Sequence, residues 1–141
     1  MEKILIGADH AGFKTKEFLK QALTQKGYQL EDMGTYSIES VDYPDIIHPL
    51  AQKINSGEYA RAIILCGSGN GVNMTANKYP HVRSALCWEP QLAVLARQHN
   101  DANVVALPAR FIDLSTALLI AEAFLTTPFE GGRHAVRVAK I

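Results

Sequence analysis

Neither sign of charge dominates this chain: Lys and Arg number 14, Asp and Glu number 14, and the formal net charge is zero. Nucleic-acid binders usually carry a basic excess that displaces counterions, so no nucleic-acid partner is expected. Long apolar runs are missing too. None approaches the roughly 20 residues of a helical membrane span, and no membrane partner is expected. The opening residues, Met1-Glu2-Lys3-Ile4-Leu5-Ile6, enter a strand-like run with no secretory apolar core or cleavage site. The expected compartment is therefore the cytoplasm. Cysteine is scarce, only Cys66 and Cys87, and the two form no CxxC pair. In a reducing compartment both should be free thiols. The glycosylation-like Asn73-Met74-Thr75 is discarded on the same ground. Internal repeats, low-complexity tracts and linkers are also absent. What remains is an ordinary globular composition, 48% hydrophobic and 20% charged over 141 residues, which suits one domain with a substantial core.

Apolar bursts alternate with helical patterns along the chain. Lys3 to Ala8 reads as a strand, and Phe13, Phe18, Leu19, Ala22 and Leu23 then follow helical spacing until Gly27. A second, weaker strand is expected over Tyr28 to Asp32, followed by a polar loop from Met33 to Tyr43. Ile46, Ile47, Leu50, Ala51 and Ile54 form the stripe of a second helix, in which Pro49 should make a kink or mark the true start. Ala60 to Cys66 is almost continuously apolar, the mark of a strand covered on both faces. A short helix is expected around Val72 to Lys78 and a fourth strand over Ser84 to Trp88. Pro90 opens the next helix, Asn103 to Leu107 forms the fifth strand, and Asp113 caps a helix that buries Ala117, Ile120, Ala121 and Phe124. This alternation predicts a single doubly wound, Rossmann-like α/β domain over residues 1–141, with a five-stranded parallel sheet. The segment 127–141 lies outside the alternation as a C-terminal helical tail. A helix so short is marginal alone and must dock, on its own domain or on a second subunit.

Ligands of an open parallel sheet bind beyond the carboxyl ends of its strands. Three unusual segments begin there: Gly7 to Gly12, Cys66 to Gly71, and the stretch after Leu107 that holds Arg110. In Cys66-Gly67-Ser68-Gly69-Asn70-Gly71, three glycines let successive backbone N–H groups converge on one point beside a helix start, as an anion site requires. The loop is not a Walker motif, because it ends Gly71-Val72-Asn73. It is not a dinucleotide fingerprint, because Val72 stands where the third glycine belongs, nor a Cys-x5-Arg phosphatase loop, because Val72 also takes the place of the arginine. A cysteine in this setting can act as nucleophile or general base. The plain alternative is a buried strand-end cysteine. Asp9 and His10 can orient a ligand hydroxyl, or belong to a solvent-facing turn. Arg133 and Arg137, one helical turn apart, can clamp a phosphate or line a solvated face. His48, His81 and His134 show no ligand spacing with one another or with either cysteine, so no metal site is expected.

Five segments together resemble the type B ribose-5-phosphate isomerases and the related galactose-6-phosphate and allose-6-phosphate isomerases: GADHAGFKTKE, DMGTYSIESVDYPD, ILCGSGNGVNMTANKYPHVRSALC, ARQHNDANVVALPAR and EGGRHAVRV. The resemblance spans essentially the whole chain. It implies aldose–ketose isomerisation through an enediolate, without metal or cofactor, in the non-oxidative pentose phosphate pathway. Cys66 matches the base that moves a proton between the first two sugar carbons. Members that lack this cysteine use a glutamate a few residues on, and Asn70 to Thr75 here contain no carboxylate. Gly67, Ser68, Gly69, Asn70 and Gly71 match the loop that holds the developing oxyanion, with Ser68 standing where many members have threonine. His99 matches the residue that opens the sugar ring, accompanied by Asn100. Asp9 and His10 match substrate-binding positions, and Arg110, Arg133 and Arg137 match phosphate-binding ones. The family builds its site between two subunits, which implies a homodimer and leaves a tetramer open. Ribose 5-phosphate is the expected substrate, because galactose-6-phosphate isomerases divide these residues between two chains. The competing readings are an allose- or galactose-6-phosphate isomerase, a sugar-phosphate-binding module without catalysis, and a cysteine-dependent hydrolase.

Overall fold

A computed structural model describes residues 2–141. Apolar runs too rich in Ile, Val and Leu to face water form the centre of the sheet: β1 (Lys3–Ala8), β3 (Ala62–Cys66) and β5 (Val104–Pro108). Almost every residue of these three strands is buried. The shorter, more polar β2 (Gln29–Asp32) and β4 (Ser84–Leu86) occupy the edges, giving the order β2-β1-β3-β5-β4 with every pairing parallel.

Alternate side chains of the central strands feed two separate cores. Ile4, Ile6, Ile63, Leu65, Val105 and Leu107 point to the face covered by α1 (Phe13–Gln25), α4 (Pro90–Asn100) and α5 (Leu114–Thr126). Leu5, Ala62, Ile64, Val104 and Ala106 point to the face covered by α2 (Tyr43–Asn55) and α3 (Asn70–Ala76). Each fully buried Leu or Ile contributes roughly 1.5–3 kcal/mol, so the sheet is held firmly from both sides. The helical crossovers change face between β1 and β3, which makes the carboxyl ends of these strands the topological switch point.

The sequence reading of the fold holds, with local corrections. Pro49 does not start the second helix. That helix begins at Tyr43, with Pro44 in its first turn where the missing N–H has no partner to lose. Pro49 sits inside the helix on its exposed face, so the Asp45 carbonyl it leaves without a donor can turn to water. The fourth strand stops at Leu86 rather than Trp88; it is an edge strand, and Trp88 is 55% exposed. Asp113 caps α5 as expected, its Oδ1 accepting the Thr116 amide at 2.8 Å. The tail folds as α6 (Arg133–Val138), a short helix packed beside α4. Among the described residues no helix is long and apolar enough to cross a membrane.

Candidate active site

At the switch point, the loops after β1, β3 and β5 enclose a cavity of about 440 Å³. It is lined by Asp9, His10, Cys66, Gly67, Ser68, Gly71 and Arg110, seven of the residues singled out from the sequence. Tyr43, Ala11 and Phe111 complete the wall.

Each loop is fixed by its own hydrogen bonds. Asp9, nearly buried, turns its carboxylate back on its loop and accepts the amides of Ala11 at 3.0 Å and Gly12 at 3.2 Å. His10 accepts the Val41 amide on Nδ1 at 3.2 Å, which places the ring proton on Nε2. The Cys66 carbonyl accepts the Ala109 amide at 2.9 Å and the Gly67 carbonyl accepts the Arg110 amide at 3.0 Å, so the β3 and β5 loops are joined by two backbone hydrogen bonds. This pairing lays the Arg110 side chain along the glycine loop: a Cβ at Gly67 would stand 3.2 Å from its Cδ and Nη1. Gly69 has φ +76°, and a Cβ there would stand 2.5 Å from Leu86 Cδ1, so this turn admits only glycine. Asn70 donates its amide to Ser68 Oγ at 3.2 Å and begins α3. Gly69 and Asn70 belong to the loop without lining the cavity.

The two thiols differ. Cys66 ends β3 at the cavity wall. Cys87 packs in the opposite core, where burial pushes its thiol up to about 12 and keeps it protonated.

The other expected residues stand elsewhere. His99, Asn100 and Arg137 line a second cavity of about 380 Å³ with His134, Val138 and Ile141, and Arg133 lies exposed on the same helix as Arg137. The strands are parallel, so α4 returns the chain from the carboxyl edge of the sheet to its amino edge. His99 and Asn100 are the last residues of that helix, just ahead of β5. Cys66 is the last residue of β3, paired with Pro108 at the far end of β5. Five strand residues at about 3.3 Å each put the two groups on the order of 13 Å or more apart. A third cavity, about 630 Å³, opens beside β4 near Tyr79 and Arg83, and shares Asn100 and Ile141 with the second.

Several site residues escaped the sequence reading. Tyr43 lies across the start of α3, where a Cβ at Gly71 would be 2.4 Å from its Cζ. Asp32 anchors the loop that delivers Val41 and Tyr43. It accepts the Gly34 amide at 2.8 Å and pairs with Lys20 at 2.7 Å and with the wholly buried Lys16. Burial alone would raise this carboxyl, but the two ammonium groups and the Gly34 amide outweigh it and hold Asp32 below the usual carboxylate range. No spacing rule flags a lysine on a helix as buried; the β2 aspartate opposite it was the available signal.

Comparison with known proteins fits this arrangement. A family model described as ribose/galactose isomerase matches residues 4–141. The chain belongs to the ribose/galactose isomerase family. Ribose-5-phosphate isomerase B of Escherichia coli strain K12 is 41% identical over 100% of this chain and 95% of its own length. A ribose 5-phosphate isomerase structure from Thermotoga maritima superposes with a TM-score of 0.95 at 50% identity, over 99% of this chain and 96% of that one. Ribose-5-phosphate isomerase B from Mycoplasma genitalium, solved with ribulose 5-phosphate bound, gives 0.93 at 38% identity, over 98% and 92%. The family resemblance seen in the sequence therefore holds across the whole chain.

Proposed function

We propose that this protein interconverts D-ribose 5-phosphate and D-ribulose 5-phosphate through an enediolate, within the non-oxidative pentose phosphate pathway. The observation that carries this reading is the convergence of Cys66, Gly67, Ser68, Gly71, Asp9, His10 and Arg110 on one cavity at the switch point. An enediolate reaction needs a base beside the reacting carbons, donors for the developing oxyanion and a remote grip on the phosphate. In this account Cys66 is the base that takes the proton from C2 of the open-chain aldose. The electron pair left behind forms the enediolate, whose oxygen the loop amides and the Ser68 hydroxyl stabilise. The same proton returns to C1 while the C2 hydroxyl proton passes to the C1 oxygen, so C1 becomes the CH2OH and C2 the carbonyl of the ketose with no external oxidant or reductant. Asp9 and His10 orient hydroxyl groups, with Nε2–H of His10 the available donor.

Ring opening is assigned to His99, with Asn100 beside it and Arg133 and Arg137 on the phosphate. These residues belong to the opposite sheet edge, so their participation requires a second copy of the chain. The functional unit proposed is a homodimer with two shared sites, working in the cytoplasm without a metal or other cofactor.

The test is ketose formation by the purified protein, with EDTA present, on ribose 5-phosphate and allose 6-phosphate in parallel. Preference for the pentose is the expected result. Preference for the hexose would keep the chemistry and overturn the substrate, and inactivity on both would overturn the catalytic reading in favour of a binding module.

A further inference from the structure

Two imidazoles that sequence spacing leaves unrelated meet in space. His99, in the last turn of α4, stacks on His134 of α6 with ring centroids 4.2 Å apart and planes 10° from parallel. Glu130, just ahead of α6, sets Oε1 3.5 Å from Nε2 of His134. One ligand atom from each of the three lies within 4.8 Å of the other two, and among the described residues no other group of three His, Cys, Asp or Glu side chains does so. The frame around them is fixed. The Glu130 amide donates to the Gln98 carbonyl at 3.1 Å, tying the entry of α6 to the end of α4, and the buried His134 donates its amide to the Gly131 carbonyl at 3.1 Å. His99 borders the second cavity, of about 380 Å³.

We propose that His99, Glu130 and His134 form a binding site for a divalent ion of the zinc class, and that the ion inhibits the enzyme by taking the His99 imidazole. Two imidazoles and one carboxylate suit a borderline-soft ion with a fourth position left to water, and do not suit calcium or magnesium, which want oxygen alone. Tetrahedral coordination at about 2.0–2.2 Å keeps donors roughly 3.4 Å apart, and the Glu130–His134 pair already stands at that separation. One ring must move. Parallel stacked imidazoles cannot both aim a lone pair at a single ion, so His99 turns about its Cβ–Cγ bond, with the cavity beside it giving room. Arg133 and Arg137 on the same helix oppose a cation, so the site should bind more weakly than a structural zinc site. The binding stands on geometry alone; the inhibition rests on the ring-opening role proposed for His99, because a ring held by the ion cannot serve the sugar.

Competition between the purified protein and a chromophoric zinc chelator measures the site directly, in the wild type and in Glu130→Gln, His134→Gln and Cys66→Ala. Wild type and Cys66→Ala should each take about one zinc per chain. Glu130→Gln and His134→Gln should bind at least about tenfold more weakly, since losing even an outer partner of a ligand costs about 10–100-fold. Glu130 is half-exposed, so its conservative change leaves the fold intact, as far-UV circular dichroism would verify. In parallel, micromolar zinc chloride should suppress ketose formation, EDTA should restore it, and Glu130→Gln should raise the half-inhibitory concentration by the same factor. Undiminished binding in both triad variants would overturn the site, and loss of binding in Cys66→Ala would overturn it by putting the ion on the thiol. Binding that depends on the triad but leaves turnover unchanged would overturn the inhibition, and with it the role given to His99.

Discussion

Replacing Gly71 by alanine should change sign according to what stands at position 43. Gly71 is the second residue of α3 and has an ordinary helical backbone, so alanine meets no conformational penalty there. Helix propensity favours it by about 1 kcal/mol. Against this, the new Cβ would lie 2.4 Å from Cζ, 2.6 Å from Cε1 and 2.8 Å from the hydroxyl of Tyr43. Carbon atoms normally rest about 3.5–4 Å apart, so the phenol must retreat by roughly 1 Å or more. Overpacking costs about 1–3 kcal/mol, and displacing a whole ring by that distance belongs in the upper part of the range, about 2–3 kcal/mol, which leaves Gly71→Ala destabilised by about 1–2 kcal/mol net. In a Tyr43→Ala background nothing opposes the propensity gain, and the same change should stabilise by up to about 1 kcal/mol. The predicted coupling is therefore about 2–3 kcal/mol. Urea unfolding of the four variants at one protein concentration measures it, the fixed concentration being needed if unfolding is linked to dissociation. Activity should fall in Gly71→Ala, because the displaced phenol is a wall of the Cys66 cavity. Equal destabilisation in both backgrounds, or neutrality in the wild type, would refute the reasoning.

Asp32→Asn should cost about 3–5 kcal/mol in thermal or urea unfolding, because it leaves the wholly buried Lys16 without its main counter-charge, whereas Lys16→Met should cost far less. Asp32 titrates lower in the folded state than in the unfolded chain. Its contribution is therefore fully present above about pH 4 and is lost as pH falls through the folded value, so the gap between wild type and Asp32→Asn should close in acid. Cys66→Ala should lower turnover by at least about 10²–10⁴ with little change in ribose 5-phosphate affinity, read by steady-state kinetics and calorimetry; a rate near wild type would remove the base assignment. Iodoacetamide near neutral pH should label Cys66 at the cavity wall before Cys87, whose thiol burial pushes up to about 12; peptide mass spectrometry showing the reverse order would contradict that contrast.

The fold was legible because its signals are local. Apolar runs at Lys3–Ala8 and Ala62–Cys66, the glycine stop at Gly27, and the Asp113 cap each act within a few residues. The Cys66 half of the site was legible for a related reason: parallel topology gathers the carboxyl ends of β1, β3 and β5 at one switch point. What remained hidden depends on meetings across the fold. Pro49 does not mark the helix start: the helix runs through it from Tyr43, with the proline on the exposed face. The burial of Lys16 depends on Asp32, 16 residues away. The approach of His134 to His99 depends on how α6 packs beside α4, which no spacing within the chain reveals. The separation of His99 from Cys66 is likewise a property of the crossover direction rather than of either motif.

The central claim is that Cys66 of one subunit and His99 of another serve the same substrate. Mixing two inactive variants, Cys66→Ala and His99→Asn, after unfolding and refolding them together tests it most directly. Half of the dimers should then be hybrids, each with one intact site and one doubly altered site. Ketose formation should recover to about a quarter of the wild-type rate. Hybrids that form, as native mass spectrometry would show, yet restore no activity would mean that both residues act within one subunit, contrary to the account.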